Sequence, residues 1–147
     1  MSMTPSGFLN YELGYFMKKF GSGNVTVSSN MRNGLPDNVL IRGMILPRYY
    51  NRVRTNMLLI IPDGYGINRH ASDVYVNPGL QYRMPGQSNW SKPGHYFDKN
   101  LHSPGRDYRT QGWQWLCINQ KVNASRELIG LTQLYRQAYL MLKYPQG

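Results

Sequence analysis

The chain is poor in cysteine, in acidic residues and in long apolar runs. A single cysteine, Cys117, among 147 residues excludes an intramolecular disulfide and any zinc site built on several thiolates. The longest apolar run is Met57-Leu58-Leu59-Ile60-Ile61, far short of the roughly 20 residues a membrane-spanning helix needs, so no membrane partner is expected. Seven Asp and Glu stand against seventeen Lys and Arg, a formal charge of +10. The acids are isolated from one another, which leaves no carboxylate pair of the kind glycoside hydrolysis uses. His95 and His102 flank Asp98 in a Pro/Gly-rich stretch that does not preset a metal site, and Gly21-Ser22-Gly23 lacks a phosphate-binding lysine. Neither a metal nor a cofactor is expected. Residues 1–7 hold neither a basic region nor an apolar core, so no secretory signal is expected and a cytoplasmic location is.

Apolar residues make up 41% of the chain and include twelve Tyr, four Phe and three Trp, enough for a packed core. Length and composition predict one domain over 1–147. The positive charge attracts anions, and nucleic acid is one possible partner. The basic residues are scattered, however, and the densest group, Arg48, Arg52 and Arg54, is interrupted by Tyr49 and Tyr50. Those tyrosines either stack on bases or belong to a charged hairpin turn. A basic face that docks an acidic protein fits the charge equally.

Helical spacing of Leu9, Leu13, Phe16 and Phe20 predicts a helix over 5–20, capped by Thr4 and stopped at Gly21. Lys18 and Lys19 occupy its last turn, where they complement the helix dipole. Aliphatic and β-branched segments at 25–27, 39–46, 55–61 and 73–76 predict four strands, with breaks at Asn33-Gly34-Leu35-Pro36-Asp37 and Pro62-Asp63-Gly64-Tyr65. With short turns and no helix between them, they predict an antiparallel meander. Residues 80–112 carry three Pro-Gly steps and no periodic pattern, and read as a long functional loop. That loop leads into Trp113-Gln114-Trp115-Leu116-Cys117-Ile118. A second helix is expected over 123–144, capped by Asn123 or Ser125, with Leu128, Leu131, Leu134, Tyr135, Ala138 and Leu142 on one face. The fold class is α+β: helix, four-stranded meander, long cysteine-bearing loop, helix.

This order of elements, with Pro62-Asp63-Gly64-Tyr65 after one strand and Val74-Tyr75-Val76-Asn77-Pro78 closing the next, resembles the ubiquitin-conjugating (UBC) fold. It is most similar to the bacterial UBC-like proteins found beside ubiquitin-like modifiers. The proline that usually follows the turn tyrosine is Gly66 here. The His-Pro-Asn tripeptide of eukaryotic members is missing, His102-Ser103-Pro104 being the nearest approach.

The resemblance implies that a ubiquitin-like modifier protein, activated by an adenylating enzyme, is carried as a thioester on Cys117 and passed to an amine. The thiolate is the nucleophile in such a step, and Arg106 and Arg109 could favour it if their loop folds over the site. The resemblance further implies an amide that holds the oxyanion, for which Asn119 and Gln111 are the candidates. His102 could orient the cysteine or move a proton, or be an exposed loop histidine. Lys18 and Lys19 match by type and region the helix through which the family docks its activating enzyme, and also suit solvated helix-end charges. Cys117 itself has a second reading as a core residue, since strict alternation puts it on one face with Trp113 and Trp115. The same fold without chemistry, as a binding module for a ubiquitin-like partner, is the corresponding alternative. A small basic nucleic-acid-binding protein is the other.

Overall fold

A computed structural model describes residues 4–66, 72–93, 101, 105–116 and 130–145. Helix α1 spans Pro5–Phe20, with the Thr4 hydroxyl accepting from the Gly7 amide at 3.0 Å and Gly21 (φ +94°) ending it. Strands β1 (Val25–Val27), β4 (Asn38–Ile45), β5 (Arg54–Ile60), β6 (Val74–Val76) and β7 (Gln114–Leu116) form one antiparallel sheet in that order. The meander therefore has five strands, not four. The fifth is the tryptophan-bearing segment, whose Trp115 pairs with Tyr75 and Leu116 with Val74. The alternation that sets Trp113, Trp115 and Cys117 on one face already offers a strand as one reading of this segment, and pairing with β6 forms it over Gln114–Leu116.

A small hairpin, β2 (Met31–Arg32) with β3 (Leu35–Pro36), stands between β1 and β4. Its turn is Asn33-Gly34, both at positive φ, a pairing that two-residue hairpins favour. Helix α2 spans Leu131–Lys143. The expected start at 123 is corrected at Gly130, which is extended and caps the helix; Asn123 and Ser125 lie outside the described residues.

Alternation along the strands sorts the core. Val39, Ile41, Met57, Leu59, Val74, Val76 and Leu116 face α1 and α2, where they meet Leu9, Phe16, Leu134 and Leu142. Leu58, Ile60 and Tyr75 face the other way, beneath Trp113, Trp115, Tyr108 and Leu40. Strand β5 is covered on both faces, which is why its sequence reads as an unbroken apolar run. Each fully buried Leu, Ile or Phe in these layers contributes roughly 1.5–3 kcal/mol.

Both helices run from one end of the sheet to the other. The starting end holds Asn38, Ile60, Val74 and Leu116; at the far end lie Ile45, Arg54 and Val76. Beyond the far end, in the β4–β5 connection, Tyr49 and Tyr50 turn inward. Tyr50 is 6% exposed, and its hydroxyl donates to the Leu142 carbonyl at 2.6 Å; Tyr49 donates to the Lys143 carbonyl. The two tyrosines close the C-terminus of α2. Part of the long loop is also tied down, since Tyr82 and Ser91 exchange backbone bonds at 2.8 and 2.9 Å.

Candidate functional site

At the starting end of the sheet, several groups converge that sequence spacing does not bring together. Asp37 immediately precedes β4 and is buried. The Arg106 guanidinium, 9% exposed, donates through Nη1 to Asp37 Oδ1 at 3.2 Å and to the Ile61 carbonyl at 2.6 Å. The other carboxylate oxygen of Asp37 accepts from Asn38 Nδ2 at 3.1 Å and from the Tyr108 hydroxyl. Burial alone would raise the Asp37 pKa, but these hydrogen bonds from Tyr108, Asn38 and Arg106 outweigh it and hold the carboxyl below its ordinary value. Burial, reinforced by the Asp37 carboxylate, lifts the Tyr108 phenol to about 12. Asp63, in the Pro62-Asp63-Gly64-Tyr65 turn, accepts from Arg32 Nε at 3.0 Å at the rim of this network.

A buried ion pair is weak support for stability in itself, but loss of one partner strands the other charge. The network therefore fixes the segment 105–108 against the ends of β4 and β5. From there a 3-10 turn, Tyr108–Gln111, carries the chain to β7, which returns it to the same sheet end at Leu116.

The turn resembling the family motif is anchored from the helix side. Gly64 takes the positive φ its turn position requires, and Tyr65 is buried, stacked on Phe8 at 5.4 Å. The Tyr65 hydroxyl donates to Glu12. Gly66 has φ +78°, and a Cβ there would lie 2.9 Å from Pro5 Cα. A proline cannot adopt that φ, and the close approach of Pro5 leaves no room for a side chain, so the position suits glycine.

Glu12 is the residue that sequence reasoning missed. It is 1% exposed, on the buried face of α1 between Leu9 and Phe16. Its carboxylate accepts from the Leu131 and Thr132 amides, each at 2.8 Å, and so caps α2 from a different helix. The available signal was a lone acid at apolar spacing.

Cys117, His102 and Asn119 lie outside the described residues, as do His70, His95 and Asp98. Gln111 is exposed at the end of the 3-10 turn; it precedes β7, whereas Leu116 ends it, so a strand length separates the two. Lys18 and Lys19 are exposed in the last turn of α1, Lys19 with its ammonium 5.9 Å from the Phe20 and Tyr135 ring centroids. Arg106 is engaged by Asp37. Arg109 is paired with Asp107 through two bonds of 2.8 Å and lies over Trp115. Among the described residues no group of three or more His, Cys, Asp or Glu is placed to hold a metal, and no helix is long and apolar enough to cross a membrane. The chain matches no family model, no curated protein and no solved structure.

Proposed function

We propose that the chain is a ubiquitin-conjugating-like transferase acting through Cys117. The Cys117 thiolate attacks the thioester carbonyl presented by an adenylating enzyme. The C–S bond to that enzyme's cysteine breaks, and its thiolate leaves as the modifier protein becomes esterified to Cys117. An acceptor amine then attacks the same carbonyl, a C–N bond forms, and the Cys117 thiolate is released with loss of the amine proton. Asn119 or Gln111 supplies the amide toward the oxyanion, His102 orients the site, and Lys18 and Lys19 dock the adenylating enzyme. No bound cofactor is called for on the transferase itself, and a cytoplasmic location suits a free thiol.

One observation carries the reading. Leu116, the last described residue of β7, stands one residue before the sole cysteine, at the end of the sheet where the tyrosine turn and the Asp37–Arg106–Tyr108 network are assembled. The order helix, antiparallel meander, helix accords with it. The deciding experiment combines the protein with its cognate activating enzyme, ATP and modifier. A reductant-sensitive adduct on non-reducing gels, lost in Cys117→Ala, is expected; no adduct with a competent activating enzyme overturns the proposal.

A second reading, a non-catalytic UBC-like module that binds a ubiquitin-like partner, draws on the pairing of Arg106 and Arg109 with Asp37 and Asp107. Those two cations are neutralised locally and have little charge left to favour a thiolate. That reading predicts modifier binding equal in the wild type and Cys117→Ala, with no adduct. The nucleic-acid reading is weakened where Tyr49 and Tyr50 are concerned, since both phenols are spent on the end of α2.

A further inference from the structure

The far end of the sheet holds an open cavity of about 720 Å³ between the last turn of α1, the β4–β5 end and the outer face of α2. Its volume is that of a small-molecule site. Three cations line it: Lys19 from α1, Arg54 from the start of β5, and Arg136 from α2. No described carboxylate lies within ion-pair distance of any of them. Of the five described acids, Asp37, Asp63 and Asp73 stand at the opposite end of the sheet, Asp107 is paired with Arg109, and Glu12 accepts from the first amides of α2.

The cations are held in place by neutral groups. Lys19 lies against the Phe20 and Tyr135 rings, Arg136 sits 5.8 Å from the Tyr15 centroid, and Arg54 donates to the Gly43 carbonyl at 2.9 Å. That carbonyl is positioned by a β-bulge in β4 between Ile41 and Met44, where Gly43 has φ +75°. Three positive groups thus border one concavity with rings and a carbonyl as their partners, and an anion seated there meets charge of opposite sign. Apolar residues beside the cations complete the lining, Met44, Ile45 and Leu140, with Ile45 59% exposed and paired across the strands with Arg54.

From this geometry we infer that the cavity is a binding site for an amphipathic organic anion, its phosphate or carboxylate head among Lys19, Arg54 and Arg136 and its apolar body along Ile45 and Leu140. Three of the four lining rings, Tyr15, Phe20 and Tyr135, already carry the protein's own cations, so a headgroup with an aliphatic body suits the walls better than a nucleotide does. The site shares Lys19 with the docking surface of the transferase reading but makes no use of Cys117.

The test is isothermal titration of the full chain with monododecyl phosphate below its micelle concentration. One equivalent binds, and Arg136→Gln and Lys19→Gln each weaken binding about tenfold, the scale of one lost charge-assisted hydrogen bond. Inorganic phosphate, lacking the body, and dodecyltrimethylammonium, with the opposite charge, each bind at least about tenfold more weakly. Ile45→Glu, which sets a like charge on the exposed apolar wall, abolishes binding while its thermal melt reports an intact fold. Cys117→Ala binds as the wild type does, so failure of the transferase assay leaves this result standing. The inference is overturned by absent or multi-equivalent binding, by equal affinity for the cationic surfactant, or by indifference to all three cavity substitutions. It is likewise overturned if vesicles of anionic phospholipid bind the protein while the single-chain phosphate does not.

Discussion

At the scale of single residues, Glu12 and Gly130 decide how the second helix begins. The Glu12 carboxylate occupies the space that a side chain at Gly130 would take: a Cβ there would lie 2.6 and 2.7 Å from its two oxygens. Gly130 is extended at φ −160°, a conformation open to any residue, so closeness and not backbone freedom selects glycine. Gly130→Ala must displace the carboxylate and with it the bonds to Leu131 and Thr132, at a cost of about 2–3 kcal/mol. Glu12→Ala leaves those two amides and the Tyr65 hydroxyl without their acceptor and costs about 3 kcal/mol or more. Because the two substitutions remove the same contacts, the double variant is destabilised by clearly less than their sum. Urea unfolding of the two single variants and the double variant measures this; strict additivity would show that the cap does not hold α2. Sequence reading continued the helix through Gly130 because the leucine spacing on its far side persists upstream to Leu128. Nothing in that spacing reveals an acceptor 118 positions earlier in the chain.

At the scale of elements, most of the framework was legible. The cap at Thr4, the stop at Gly21 and the four strands at 25–27, 39–46, 55–61 and 73–76 are found within a residue or so, because each rests on local signals. What spacing left open depends on distant partners: whether the tryptophan segment joins the sheet, which pairing with β6 decides for β7, and the use of Tyr49 and Tyr50. Flanked by arginines, those tyrosines looked like a surface patch. Their role is to donate to the last carbonyls of α2, for which the helix has no N–H donor of its own. Tyr50→Phe keeps the ring in the core but leaves the buried Leu142 carbonyl unpaired, and costs about 1–2 kcal/mol. For a chain of this length that is a fall in melting temperature of about 2–8 °C, measurable by differential scanning calorimetry. An unchanged melting temperature would mean that water replaces the phenol. Of the candidate site, Gln111, Lys18 and Lys19 are placed at the surface, whereas Cys117, His102 and Asn119 lie outside the described residues. The groups that do converge, Asp37, Arg106 and Tyr108, come from segments about seventy residues apart, a separation that no local motif encodes.

For the whole molecule, the distribution of phenols sets the alkaline limit of stability. Tyr108 and Tyr75 at the starting end of the sheet, and Tyr135 between the helices, are each held up to about 12, with burial the largest cause in every case. Tyr50 and Tyr65 are pushed higher still, by burial in both, with neighbouring tyrosines adding for Tyr50 and Glu12 for Tyr65. In the unfolded chain all five titrate near the ordinary value of 10. Between pH 10 and pH 12 the unfolded chain therefore loses phenolic protons that the folded chain retains. With fewer protons bound in the unfolded state, stability falls as pH rises through this window, and the full contribution of the five groups is present only below pH 10. Asp37 acts with the opposite sign: its carboxyl is held below its ordinary value, so its contribution is present above that value and declines as pH drops through the folded one. The net charge of +10 adds self-repulsion that lessens as the chain loses protons with rising pH, which works against alkaline loss. The buried phenols outweigh it if stability from urea melts decreases steadily from pH 10 upward and phenolate absorbance rises in step with unfolding. Phenolate absorbance that develops fully near pH 10 while the protein remains folded would instead mean that these rings are open to water, and the two-faced core described for this sheet would be wrong.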